Sequence, residues 1–424
     1  MPVLGTMGAM SARGFGALAS LGGGYWIGTL AGVNTDLGRA IALDQFGNVF
    51  IGGTAEFGGA AGRDFEIAKY NTFGAIEWQR RLGGTNDQDL YSLATDSSGN
   101  VYACGEDRTT NKIQIAKYNS TGVIQWQRQL AGSFDSARGI AVDSSANVYI
   151  CGDSNNSGVS DFQVAKYNTS GVIQWQRRLS DGVYAYAKGV AVDASGNVYV
   201  CGRSTNASNY GFQLVKYNTS GVIQWQRALD TIGAGGIALD SSANIYVCSI
   251  DSNSYVSKYD TNGVIQWQRR INSNFSTSIA VDLSGNVYVC GYIFPSLPDL
   301  TLVKYNTSGV IQWQRSLDSS FSDIGYAVKT DASGNVYVCG NTASGGGGNP
   351  NNFLFAKLPA DGSKTGTYTV GGVSFTYAAS SLTETSTSFA NAASTLTDSA
   401  STLTDSASTL TDAATTLTSS VTQI

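Results

Sequence analysis

Tryptophan recurs through this chain every 42 to 52 residues, at Trp26, Trp78, Trp126, Trp175, Trp225, Trp267 and Trp313, and six of the seven sit in a phrase close to Ile-Gln-Trp-Gln-Arg. Self-similarity at such a period constrains the fold more than any other feature, because a unit of that length cannot bury its apolar face alone and must stack on its neighbours. The clearest copy, residues 188–229, splits into four short runs: 189–193 (GVAVD), 197–202 (NVYVCG), 212–218 (FQLVKYN) and 222–229 (VIQWQRAL). Runs of this length bounded by Ala-Ser-Gly and Thr-Ser-Gly read as β-strands. The inner runs are apolar on both faces while the last alternates with glutamine, which puts the last strand at a rim.

The first type of run begins at Arg39, Tyr91, Arg138, Lys188, Gly235, Thr277 and Tyr326, and the third type also occurs seven times, ending with 353–358 (FLFAKL). The Trp-bearing fourth type follows only the first six of these; its remaining copy, 25–30 (YWIGTL), precedes everything else. The predicted fold is therefore all-β, a seven-bladed β-propeller over residues 25–360 whose ring is closed by the N-terminal strand, removing two open sheet edges. Residues 363–370 compete for that closing role.

The phrase "GVAVDASGNVYVCG", followed by "LVKYNTSGVIQWQR", resembles the bacterial and phage propeller repeats called SBBP, and its first half is similar to NHL repeats. The resemblance spans residues 25 to about 358 and implies the fold. It implies little about function, since such propellers serve many tasks.

The net charge is −5, from 26 Lys plus Arg against 31 Asp plus Glu, and charged residues make up only 13% of the chain. No basic field for nucleic acid or an anionic membrane is implied. Four of the acids, Glu384, Asp398, Asp405 and Asp412, lie after residue 364 with no base beside them, so the body is nearly neutral. No stretch approaches the length of a membrane span, and residues 1–21 lack the basic end and apolar run of a signal peptide, which predicts maturation in a cytoplasm. Cys104, Cys151, Cys201, Cys248, Cys290 and Cys339 all close the same Tyr-x-Cys end of the repeat. Equivalent positions in successive blades are separated by whole sheets, so six reduced, buried thiols are expected.

The chain has no histidine, which removes Ser-His-Asp and Cys-His mechanisms and His-bearing metal sites. The recurrent Asp-x-Ser-Gly-Asn turn, at Asp44, Asp96, Asp143, Asp193, Asp240, Asp282 and Asp331, reads as turn chemistry, with calcium as the alternative. Lys69, Lys117, Lys166, Lys216, Lys258, Lys304 and Lys357, with Arg80, Arg128, Arg177, Arg227, Arg269 and Arg315, form two rings of cations. Pairing with turn carboxylates or packing on Trp and Tyr is expected of them, and binding of an anionic polymer is the alternative. What breaks the repeat is the set of loops between second and third strands, and there Tyr210, Tyr292 and Phe294 suit carbohydrate or protein contact. No catalytic residue, cofactor or metal is expected.

Residues 1–24 read as a flexible docking arm and 361–380 as a β-rich connection. In residues 381–424, Leu382, Phe389, Leu396, Leu403, Leu410, Leu417 and Ile424 recur every seven places, with Ala393, Ala400, Ala407, Ala414 and Val421 four places after a large residue. That a/d pattern predicts an oligomerising coiled-coil helix, a trimer first, against which its Ser/Thr content argues. The opening "MPVLGTMGAMSARGFG" and the stretch "DGSKTGTYTVGGVSFTYAASSLT" are similar to the ends of structural proteins of marine tailed phages. This resemblance implies a non-enzymatic virion protein, a fibre, spike or other appendage, made in the host cytoplasm. Its implied partners are other virion proteins at both termini and a host-surface glycan or protein. The alternatives are a bacterial surface adhesin or carbohydrate-binding propeller and, third, a propeller lyase or dehydrogenase.

Overall fold

A computed structural model describes residues 24–380 apart from 32–34, 57–61, 132–135, 157–158, 181–183, 207–208, 230–232, 251–252, 273, 295–296, 344–350 and 371, and in the tail 382–386, 391–392, 397–400, 404–406, 411–414 and 418–423. Every regular element among them is a β-strand. Four antiparallel strands make one blade: in blade 4, Tyr184–Val192, Val198–Asn206, Asn209–Tyr217 and Ile223–Leu229 pair in that order. The described strands form seven such sets, over residues 36–83, 88–131, 136–180, 184–229, 236–272 and 274–318, and over 323–358 completed by Trp26–Ala31. Trp26–Ala31 pairs antiparallel with Asn351–Leu358, with Trp26 opposite Lys357, the register that Trp175 and Lys166 share in blade 3. The first strands adjoin one another all the way round, with Asp323–Thr330 back against Asp36–Leu43.

The core lies between blades rather than within them. Cys151, Phe162 and Leu179 of blade 3 pack with Val190, Val200 and Val215 of blade 4, and each neighbouring pair repeats the arrangement. All six cysteines are free and buried, and burial pushes the Cys201 and Cys290 thiols up to about 12.

A polar clamp reinforces six of these interfaces. Trp175 Nε1 donates to Thr219 O in the next blade at 3.1 Å, and Arg177 Nε donates to Gly221 O at 2.6 Å. Trp78, Trp126, Trp225, Trp267 and Trp313 reach the corresponding carbonyls of Ser120, Thr169, Thr261, Thr307 and Ala360. The turn they grip carries a glycine in the left-handed region directly over the indole: Gly221 has φ of 75°, and a Cβ there would stand 2.7 Å from Trp175 Cδ2.

The C-terminal segment corrects the sequence reading. No described residue is helical, so the expected coiled coil is absent and with it the bundle seam assigned to Leu382 and its successors. Instead the chain forms a hairpin, Gly366–Val370 with Val373–Ala379, and then circles the propeller against the direction of the blades. Val373–Ala379 adds to the outer strand of blade 6, Glu384–Ser386 to blade 5, Asn391–Ala392 to blade 4, Thr397–Ala400 to blade 3, Thr404–Ser406 to blade 2, Thr411–Ala414 to blade 1, and Thr418–Gln423 to Trp26–Ala31. The candidate closing strand at 363–370 is thus the outer half of a hairpin on blade 6.

The seven-residue period has a different cause from the one expected. Leu317, Ile271, Leu229, Leu179, Leu130, Leu82 and Leu30, equivalent positions of the seven outer strands, face Tyr377, Glu384, Asn391, Asp398, Asp405, Asp412 and Ser419. Each partner lies seven residues beyond the last. Seven extended residues reach at most ~25 Å, enough to step between neighbouring blade edges, and the short paired runs are reset at every blade. Thr-rich sequence suits such strands better than helix. Leu382 is half-buried against the core between blades 5 and 6; Phe389, Leu396, Leu403, Leu410, Leu417 and Ile424, like the arm at 1–23, lie outside the described residues.

Gly221→Ala should destabilise the protein by at least ~2 kcal/mol in chemical unfolding, through backbone strain plus collision with Trp175. Gly334→Ala should cost only about 1 kcal/mol, because its φ is 77° but the nearest atom to a Cβ is 3.5 Å away, and Ala146 and Ala243 already occupy the equivalent turn position at φ 59°. Circular dichroism of the whole chain should show β-structure without a helical signature, and a version ending at Ser380 should melt several degrees lower. An unchanged melt would mean that the circling strands add no stability.

Candidate functional site

The repeated polar residues are used up by the fold. Asp96 Oδ1 accepts from the Ser98 and Asn100 backbone N–H groups at 2.9 and 3.0 Å, while its Oδ2 accepts from Asn100 Nδ2 and the Tyr102 hydroxyl at 2.7 and 2.9 Å. The same four bonds recur at Asp143, Asp193, Asp240, Asp282 and Asp331. Both carboxylate oxygens serve the turn, and no group of three or more Cys, Asp or Glu among the described residues is placed to hold a metal. The lysine ring stands over aromatic faces, as Lys117 does 5.0 Å from the Tyr102 ring centre, and the arginine ring is the clamp already described.

One rim carries the asymmetry. Phe275 starts the first strand of blade 6, directly opposite Tyr292 in the second, and the rings stack 5.1 Å apart with planes 7° from parallel. Phe294, in the loop that follows, stands edge-on to both, 5.6 and 5.4 Å away. Phe294 is 57% exposed and Leu297, three residues on, 47%. Exposed apolar residues elsewhere are largely repeat features, such as Val123, Val172, Val222, Val264 and Val310 after the clamped turns. Of the predicted contact residues, Tyr292 and Phe294 are thus brought together. The Tyr210 side chain lies outside the described residues. Phe275 and Leu297 were missed; Leu37, Tyr186 and Ile324 stand at the place of Phe275 in blades 1, 4 and 7, so the repeat gives no signal there.

Carboxyl groups flank the patch. Asp299, at the start of the third strand, is pushed up to about 6 by burial and by the neighbouring Asp318. Asp323, in the first strand of blade 7, is also raised to about 6 by burial, although Ser319 N–H donates to its Oδ2 at 2.6 Å. Its Oδ1 is buried with no donor among the described residues, and its own N–H donates to Pro298 O at 2.6 Å, tying the Phe294 loop to blade 7. The patch therefore offers aromatic faces beside acids that exchange their protons near pH 6.

A carboxyl whose folded pKa exceeds its unfolded value stabilises the fold fully below about pH 4 and loses that contribution as the pH rises through about 6. Asp323→Asn, which keeps the shape without the charge, should raise the melting temperature at pH 8. The gain should correspond to at most about 3 kcal/mol and vanish at pH 4, as thermal melts across that range would show.

Comparison with known proteins bears on the fold. The β-propeller repeat model of the SBBP family matches residues 77–106 and 125–158, and a model described as outer membrane protein assembly factor BamB matches residues 160–346. No curated protein matches the chain. Among solved structures, a protein of unknown function from Bacteroides caccae is similar at 13% identity over 68% of this chain and 95% of its own, with a TM-score of 0.43. The chain carries SBBP-type β-propeller repeats followed by a BamB-like propeller region.

Proposed function

We propose that this chain is a non-enzymatic structural and adhesion protein of a tailed-phage particle, a fibre, spike or other appendage that displays a seven-bladed propeller with the blade 6 patch outward. The observation that carries the adhesive part is that patch, where the half-buried Phe275 and Tyr292 and the exposed Phe294 form an aromatic corner in one blade of an otherwise repetitive ring. Such a corner can cover the apolar face of a sugar ring or a protein side chain, with Asp299 beside it to accept or donate a hydrogen bond. The assignment to a virion rests on the wording of the two ends, which resembles that of phage structural proteins. Self-association, as a trimer or otherwise, would need a surface other than a helical tail.

Labelled whole chain should bind intact host cells, and Phe294→Ala should lower the amount bound at fixed concentration at least tenfold with the melting temperature unchanged. Equal binding by the variant would remove the patch from adhesion. Mass spectrometry of purified particles should find the chain among their proteins; finding it only in cell envelopes would favour a bacterial surface adhesin.

A further inference from the structure

Six of the seven first strands carry a β-bulge at one equivalent position, and the bulged residues are Arg39, Tyr91, Arg138, Lys188, Thr277 and Tyr326. A bulge re-aims the side chain of its extra residue, and these strands form the innermost ring, beside the central channel; Thr277 differs from the rest, its Oγ1 donating to Cys290 O and Gly325 O between blades 6 and 7. The bulged positions are also where the repeat is least uniform. Around more than half the ring, cations alternate with tyrosines. Arg39 lies 5.7 Å from the Tyr326 ring and 5.3 Å from Tyr91, Arg138 lies 5.5 Å from Tyr91 and 5.9 Å from Tyr186, and Arg203 lies 5.7 Å from Tyr186.

The acids near this array have partners. Asp153 takes Arg138 at 2.9 Å, the Tyr91 hydroxyl donates to Glu106 at 2.7 Å, and Arg108 stands 3.3 Å from Asp89 and 3.9 Å from Glu106. Arg39 and Lys188 have no ion pair among the described residues. Arg39 stands over two ring faces, and its Nε is buried with no hydrogen-bond partner among the described residues. Burial, and then the charges of Arg138 and Arg39, bring the pKa of Lys188 down to about 8. Lys329 adds a further cation on the same strand ring, where the other six blades have Ala42, Ala94, Ala141, Ala191, Ala238 and Ala280, and enclosure by protein lowers its pKa although it keeps contact with water.

We propose that the central channel binds one small oxyanion, a phosphate, sulfate or carboxylate group, between Arg39 and Lys188. These residues belong to blades 1 and 4, three blades apart on the ring, so both can reach one ligand only near the axis. Stacking of the Arg39 guanidinium on two tyrosine faces leaves its terminal NH2 groups for a bidentate contact, and an anion relieves the repulsion among the cations. The proposal does not depend on the blade 6 patch.

Titration calorimetry of the whole chain at low ionic strength, with inorganic phosphate, inorganic sulfate and glucuronate in separate arms, tests it. At least one should bind with a stoichiometry of one, and the tightest of the three identifies the source of the oxyanion. Arg39→Gln and Lys188→Met should each weaken binding at least tenfold, while Lys364→Gln, at an exposed position before the C-terminal hairpin, should not. Above pH 8, binding should take up a proton, and that uptake should disappear in Lys188→Met. The anion should raise the melting temperature of the unaltered chain but not of the two channel variants, which separates lost binding from lost folding. Absence of binding at millimolar concentrations, or binding unchanged in both channel variants, would overturn the proposal.

Discussion

The indole and guanidinium that each blade extends over the next one's turn hold the ring together. A blade has no core of its own, and its apolar faces are satisfied only by its neighbours, so the fold depends on fixing the angle and spacing between adjacent sheets. Two hydrogen bonds from Trp175 and Arg177 to Thr219 O and Gly221 O fix both, and the left-handed Gly221 lets the backbone come down onto the indole. Each bond contributes roughly 1 kcal/mol, but repetition around the ring makes the arrangement cumulative. The seam is the exception. Trp26 Nε1 has no partner among the described residues, and no arginine follows two places after it. There apolar packing substitutes, with Phe355 5.7 Å from Trp26 and 4.7 Å from Tyr70 of blade 1.

The circling C-terminal strands answer a second constraint. Every blade ends in a strand with an unpaired edge, and exposed edges invite association with other chains. One strand segment per blade covers them all, and the last, Thr418–Gln423, lies on Trp26–Ala31, so that the closing strand is paired on both sides. The hairpin strand Gly366–Val370 adjoins Thr418–Gln423, which brings the beginning and the end of the circuit together.

Because the framework consumes the repeated polar groups, function is left to the positions that differ from blade to blade. Two such places are contiguous. Burial, and then the neighbouring Tyr326, push the Tyr292 phenol of the rim patch up, and Tyr326 in turn carries the Arg39 guanidinium of the channel. An aromatic corner thus adjoins the cationic interior through Tyr326.

The four-strand unit, its propeller stacking and the use of Asp turns and buried cysteines were determined by the sequence itself, because each depends on local period, turn chemistry or a position repeated many times. Tyr292 and Phe294 stood out for the opposite reason, as departures from the repeat, and their rings adjoin. The tail was not legible. A spacing of seven is compatible with two helical turns and with one step between neighbouring sheets, and only the distance between blade edges, set by the packed ring, distinguishes them. The channel residues stood at the strand starts, Arg39, Tyr91, Arg138 and Lys188 among them, with no sign that they meet. Residues so far apart along the chain become neighbours only when the ring closes and a bulge turns each one toward the same axis.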